Sequence, residues 1–400
     1  MLKSSMTAAM TVCLLASASF AAGTVDSKQP WSARMAESVM IRHPKGVSMD
    51  SKLTWSYSTS FCVRAVTEVG IAKGATGDGA PFLRWGRDYL DTFINNDGVI
   101  GPAYDFKGHR LDDIEPGELV LTMYAQTKDE KYKKAALQLA EQFKSQPRVE
   151  GGGFWHKDIY PNQMWVDGIF MGCPFMAKFG ATTGQPQYFD EVANQILLLA
   201  SHAQDPATGL MYHGWDASKK EKWADPKTGL SQCFWGRGMG WYLAGIVDAL
   251  DDMPANHPRR AEIIAVLRKG VAGLEKVQDP KTGLWWQVLD QGNRAGNYLE
   301  SSASSMFVYV LAKASRNGTI DAHYADVAKK GYEGIIAKLI DVDATTGLVT
   351  LKDTCQVAGL GANPYRDGSY EYYLREPRVS NDTKGIAPFI LASLELERSH

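Results

Sequence analysis

Apolar residues return every three or four positions over most of this chain, as in Ala136, Leu139, Ala140 and Phe143, or Val192, Ile196, Leu199 and Ala200, or Ile263, Val266, Leu267, Val271 and Leu274. That spacing lines one face of a helix, and long alternating strand patterns are nearly absent. The pattern predicts about twelve helices, starting near residues 31, 55, 80, 113, 129, 164, 185, 236, 257, 300, 320 and 384. Those near 80, 129, 185, 257 and 320 are amphipathic, with Lys, Arg, Glu and Gln on one face, as a solvated outer layer requires. Those near 55, 113, 164, 236, 300 and 384 carry less charge and more Gly, Ser and Ala, which lets a helix be approached closely on most sides. Alternation of the two classes predicts an all-α fold, with a ring of six inner helices inside a ring of six outer ones.

The connections repeat. Asp205-Pro-Ala-Thr-Gly-Leu210, Asp225-Pro-Lys-Thr-Gly-Leu230, Asp279-Pro-Lys-Thr-Gly-Leu284 and Asp343-Ala-Thr-Thr-Gly-Leu348 are one turn used four times. Asp and Pro open it, and Gly supplies the positive φ that closes it. Two helices also start alike, after Thr127-Lys-Asp-Glu-Lys-Tyr132 and Thr183-Gly-Gln-Pro-Gln-Tyr188, which fits stacked helix pairs. No Pro/Gly/Ser-rich linker interrupts the series, so residues 24–400 are expected to form one domain.

Residues 1–23 have the layout of a secretory signal. Lys3 gives the positive start, Met6 to Leu15 the apolar stretch, and Ala16-Ser17-Ala18 or Ser19-Phe20-Ala21 a cleavage site. The expected location is periplasmic or secreted, with no membrane association once the signal is removed. With 43 basic and 45 acidic residues the chain is nearly neutral, which gives no reason to expect nucleic acid as a partner. No obligate protein partner is inferred either. Beyond Cys13, the cysteines 62, 173, 233 and 355 are far apart and sit among apolar or small residues, as buried thiols do, although an exported protein could pair them. The eight histidines show no ligand spacing, so neither a metal nor another cofactor is expected.

In a double ring the inner-helix starts converge at one end, so their unusual residues belong together. They are Trp55-Ser-Tyr57, Leu111-Asp112-Asp113, Met164-Trp165-Val-Asp167 and Phe234-Trp235-Gly-Arg237-Gly-Met239-Gly-Trp241, with His156-Lys157 and His213 between them. Aromatic rings stack on sugar faces, polar groups fix hydroxyls, and an Arg fork holds a carboxylate. Taken singly, each has a plainer reading: a helix-capping Asp, a core Trp, a loop His, a surface Lys. Asp167 stands out because Trp165, Phe170 and Met171 surround it with apolar bulk, which should raise its pKa as a general acid requires. Asp112 and Asp167 could also form the carboxylate pair of an ordinary glycosidase.

These motifs, with the tail Cys355-Gln-Val-Ala-Gly-Leu-Gly-Ala-Asn-Pro-Tyr365-Arg-Asp-Gly-Ser-Tyr-Glu-Tyr-Tyr373, resemble glycoside hydrolase family 105, the unsaturated rhamnogalacturonyl hydrolases, related to the unsaturated glucuronyl hydrolases of family 88. The resemblance runs from about Trp55 to the C-terminus. It implies an (α/α)6 barrel with short strands in the rim loops, and a pectic oligosaccharide substrate ending in a 4,5-unsaturated uronic acid. It also implies that Asp167 is the acid and base that hydrates the double bond, with Asp112 supporting. Tyr57, His213, Trp235, Arg237 and Trp241 would line the sugar site, and His156, Lys157 and Trp165 are added from their position. The family commonly has a polar residue, often Asn, where this chain has Met239; were that side chain to touch substrate, sugar preference would change. Competing classes are a glucuronyl hydrolase acting on ulvan- or glycosaminoglycan-type oligosaccharides, a polysaccharide lyase, and a non-catalytic glycan-binding protein.

Overall fold

The computed structural model describes residues 23–47 and 52–398. The expected signal segment and Cys13 lie outside the described residues, apart from Gly23. Twelve long helices occur among them: α1 Trp31–Arg42, α2 Tyr57–Ala72, α3 Ala80–Asp91, α4 Pro116–Thr127, α5 Glu130–Ser145, α6 Val166–Thr183, α7 Gln187–Ala203, α8 Gly236–Asp252, α9 Arg260–Lys276, α10 Ser301–Arg316, α11 Tyr324–Lys338 and α13 Thr383–Glu397. A short α12, Tyr370–Arg375, precedes the last. None of the helices described is long and apolar enough to cross a membrane.

Helices α2, α4, α6, α8, α10 and α13 contact one another in sequence and close into a ring, since α13 returns to α2. Each packs against one partner in the outer layer, α3, α5, α7, α9, α11 or α1. The expected double ring is therefore the observed one. Small residues do what their composition implied: a methyl at Gly245 of α8 would lie 2.9 Å from the backbone of Phe170 in α6, so that crossing tolerates no side chain.

The repeated turns hold their shape by one device. In Asp279–Leu284 the Asp carboxylate accepts from the Thr282 amide at 2.8 Å and its hydroxyl at 2.6 Å, and Gly283 stands at φ +75°. The matching bonds recur at Asp205, Asp225 and Asp343.

Three two-stranded pairings decorate the loops. β1 (Gln163–Trp165) runs antiparallel to β2 (Gly214–Asp216), with Trp165 opposite Gly214. β3 (Ile340–Val342) pairs with β4 (Val349–Leu351), and β5 (Thr354–Cys355) with β6 (Arg378–Val379).

Deep within the inner ring the interior is charged. Arg64 of α2 meets Glu118 of α4 and lies 3.1 Å from Asp248 of α8, which is also 2.6 Å from Lys313 of α10. Burial alone would raise the Asp248 pKa, but Lys313 and Arg64 outweigh it and hold the carboxylate well below its usual range. The four described cysteines are buried free thiols.

Candidate active site

One end of the ring gathers the helix starts. Tyr57 opens α2, a 3-10 turn Leu111–Asp113 precedes α4, Asp167 and Arg237 lie in the first turns of α6 and α8, and Glu300 and Asp382 cap α10 and α13.

Backbone bonds stitch the intervening loops to these starts. The Leu111 amide donates to the His156 carbonyl at 3.1 Å, His156 to Gln163 at 2.9 Å, and Val166 to His213 at 3.0 Å. A chain of main-chain bonds thus fixes Asp112, His156, Asp167 and His213 relative to one another. No helix-capping bond involves the Asp112 or Asp113 side chains, so the capping reading of that pair does not apply.

The two carboxylates are held differently. Asp112 Oδ2 lies 2.5 Å from Lys157 Nζ, and its Oδ1 lies 3.3 Å from His156 Nε2. Burial raises its pKa, but Lys157 and then His156 outweigh that effect and leave it below the ordinary value, so Asp112 is ionised. Burial in turn pushes the His156 imidazole down to about 4, Asp112 opposing only in part, so His156 is neutral near pH 7. Asp167 has no such cation. Its Oδ2 lies 3.3 Å from His213 Nε2 without being aligned for a hydrogen bond, and neither buried atom has another partner among the described residues. His213 is held from behind, its Nδ1 lying 2.7 Å from the Tyr373 hydroxyl.

The aromatic side chains divide into lining and support. Burial first, and then Asp112, Asp167 and Asp382, raise the pKa of the Tyr57 hydroxyl, with Arg237 opposing. Trp241, read as a lining residue, is instead 1% exposed and wedged under Tyr57, Phe61 and Phe170. Trp165 is likewise buried: its indole lies nearly parallel to His156 and Tyr160, at 4.7 and 4.6 Å, and meets His213 edge-on at 5.5 Å. It spaces the two histidines. Trp235 packs on His213 at 4.6 Å and carries the Arg237 guanidinium 4.9 Å from its ring centre.

Arg237 donates through Nη1 to the Cys355 carbonyl and to Ser302 Oγ, while its buried Nε has no partner. Glu300 accepts from the Cys355 amide at 2.8 Å, so Glu300 and Arg237 grip the same peptide segment from its two polar sides. Met239 is fully buried, and its methyl faces Gly270 of α9. Its side chain is thus turned toward the outer ring and away from the position of a substrate contact.

Tyr373, Glu300, and the Asp382–Lys384 pair at 2.8 Å are site neighbours that the sequence motifs did not single out. Glu300-Ser-Ser at an inner-helix start and the Tyr-rich tail carried that signal.

Known proteins resemble this chain over most of its length. The model of Glycosyl Hydrolase Family 88 matches residues 31–400. Protein Atu3128 of Agrobacterium fabrum is 38% identical over 230 residues, 56% of this chain and 97% of that protein. The unsaturated rhamnogalacturonyl hydrolase YesR of Bacillus subtilis is 29% identical over 290 residues, 71% of this chain and 76% of that one. Among solved structures, a glycoside hydrolase from family 105 of C. acetobutylicum superposes with a TM-score of 0.87 at 39% identity, covering 92% of this chain and 100% of its own. The chain belongs to glycosyl hydrolase family 88, and it is a glycoside hydrolase of the unsaturated uronyl type that families 88 and 105 hold in common.

Proposed function

We propose that this enzyme removes a 4,5-unsaturated uronic acid from the non-reducing end of lyase-generated, rhamnogalacturonan-type oligosaccharides by hydrating the double bond. The observation that carries this reading is the inequality of the two carboxylates. Asp112 is committed to Lys157 at 2.5 Å and stays ionised, whereas Asp167 Oδ2 faces His213 with no bond formed. Hydrolysis by a carboxylate pair needs two groups at work, an acid and either a nucleophile or a base. Hydration of a vinyl ether needs one, which first gives a proton and then takes one back.

In this scheme Asp167 enters protonated and delivers its proton to C4. The carboxylate left behind removes a proton from the water that bonds to C5, which restores the acid. The product is a hemiketal at C5. Its ring C5–O bond breaks to give a ketone, the hemiacetal at C1 opens to an aldehyde, and the aglycone leaves with its oxygen protonated. Water is the only co-reactant. Arg237 and Tyr57 would orient the uronate, and Asp112 with Lys157 would hold ring hydroxyls. The rhamnogalacturonan preference is supported by the likeness to YesR, and the signal-like sequence of residues 1–23 supports action outside the cytoplasm.

The test is a panel of lyase-generated oligosaccharides from pectin, ulvan and glycosaminoglycans, followed by the ultraviolet absorbance of the conjugated double bond. Absorbance should fall, fastest on the pectic members. A rise on intact polymer would mean a lyase, and no change on any member would remove the reading.

A further inference from the structure

Beside the candidate active site lies a second cavity, of about 520 Å³, lined among others by Tyr160, Tyr365, Arg366, Tyr372, Arg375 and Glu376. Two shared elements join it to the site. Tyr160 lies just after Lys157 in the same loop, with the Lys157 ammonium 5.9 Å from its ring and its ring against Trp165. Helix α12 offers Tyr373 to His213 on one side and Tyr372 to the cavity on the other.

The cavity carries excess positive charge on an aromatic frame. Arg366 donates to the Tyr160 hydroxyl at 2.8 Å and to the carbonyls of Leu360 and Gly361, both at 3.0 Å. All these partners are neutral, so its charge is fixed in place without being cancelled. Arg375 adds a second guanidinium at the exposed end of α12. Against these two guanidinium groups the lining has one carboxylate, Glu376. Tyr365 is 44% exposed, so that much of its ring is open to solvent, with the Lys222 ammonium 5.9 Å from its centre.

We propose that this cavity is a distal subsite that takes a uronate sugar of the leaving chain, its carboxylate received by Arg366 and Arg375 and its ring laid on Tyr365. The proposal rests on the reading that the enzyme acts on unsaturated oligosaccharides, and it specifies the chemistry of a sugar beyond the scissile bond. Arg366 still has its Nη1 to donate, the exposed Arg375 adds a second guanidinium for the same carboxylate, and a tyrosine face matches the apolar side of a pyranose. The substrates favoured would therefore be longer than a disaccharide and acidic in their leaving portion.

The experiment compares kcat/KM on an unsaturated disaccharide, on an unsaturated tetrasaccharide whose third sugar is a free uronate, and on the same tetrasaccharide with that carboxyl methyl-esterified. Wild-type enzyme should favour the free-acid tetrasaccharide over the disaccharide by about tenfold, the worth of one charge-assisted contact. Esterification should remove most of that preference. Arg375→Gln should do the same through KM while leaving the disaccharide unchanged, and Tyr365→Ala should weaken both tetrasaccharides. Equal efficiency on all three substrates in the wild type would overturn the subsite, as would a loss in Arg375→Gln shared by the disaccharide. A sulfated third sugar preferred over the uronate would overturn its assignment to a carboxylate. Turnover of none of them would instead remove the functional reading on which the subsite rests.

Discussion

The Asp167 carboxylate and the His213 imidazole face each other at 3.3 Å with neither facing atom hydrogen-bonded, while two residues of the same rim, Asp112 and Lys157, are closed on each other at 2.5 Å. An acid that must give and take a proton within one turnover has to be reachable by substrate and water. Asp112, kept ionised by Lys157, has no proton to give.

Replacing Asp167 by Asn should therefore lower kcat by about 10²–10⁴, the usual worth of a general acid–base group, with little change in folding. Loss of the double-bond absorbance gives the rate, and a melting curve checks the fold. A variant with wild-type turnover would remove Asp167 from the chemistry.

Tyr373→Phe deletes the hydroxyl that holds His213 Nδ1 at 2.7 Å. With that partner gone the ring can change tautomer or turn, and Asp167 loses a fixed neighbour. We expect kcat to fall roughly tenfold, in line with the loss of one buried hydrogen bond, and KM to move less. The pH profile of kcat should shift as well, which a merely structural tyrosine would not cause.

Acid should weaken the fold through His156. An unfolded histidine takes up its proton near 6.5, whereas burial holds His156 down at about 4. Between these values the unfolded chain binds a proton that the folded protein refuses, so the stabilisation is full above pH 6.5 and lost as pH falls toward 4. Asp112 acts in the same direction at lower pH, since Lys157 and His156 overcome its burial and lower its pKa. The His156 contribution is on the order of 3 kcal/mol. Melting temperatures measured stepwise from pH 7 to 4 should decline in the wild type and decline less in His156→Gln; identical slopes would place the acid sensitivity elsewhere.

Gly283→Ala should cost stability without touching catalysis. The turn needs φ +75° there, and a methyl group would come within 2.4 Å of the Lys330 carbonyl oxygen. Strain of both kinds should destabilise by at least about 1 kcal/mol, read as a lower urea midpoint, with kcat per folded molecule unchanged.

Much of the architecture was legible in the order of residues. All twelve long helices begin within four residues of the expected starts, the outer layer is the charged one, and the Asp-Pro-x-Thr-Gly-Leu turns are turns. Asp112, His156, Lys157, Asp167, His213 and Arg237 were legible as a group because inner-helix starts share one end of a ring. Their partners were not. Trp241 and Trp165 read as residues lining the sugar site, and their packing against Phe61, Phe170 and His156 was not legible. Met239 read as a specificity position, and the rotation of α8 turns it to Gly270.

Sequence by itself determined what is local: the 3.6-residue repeat that makes each helix, the small residues that let α6 and α8 approach, and the Gly that each turn requires. It also carried the family motifs. The tertiary structure alone decided which carboxylate was closed by a cation and which was left open, because that depends on contacts between remote segments. Tyr373 reaches His213 across 160 residues, and Arg237 reaches the Cys355 carbonyl across 118. Periodicity fixes which face of a helix is buried, but the azimuth and height of each helix in the ring come from packing and from loop hydrogen bonds such as Val166 to His213. The rotation and height that packing imposes place the atoms of Asp112 and Asp167 and so separate their roles.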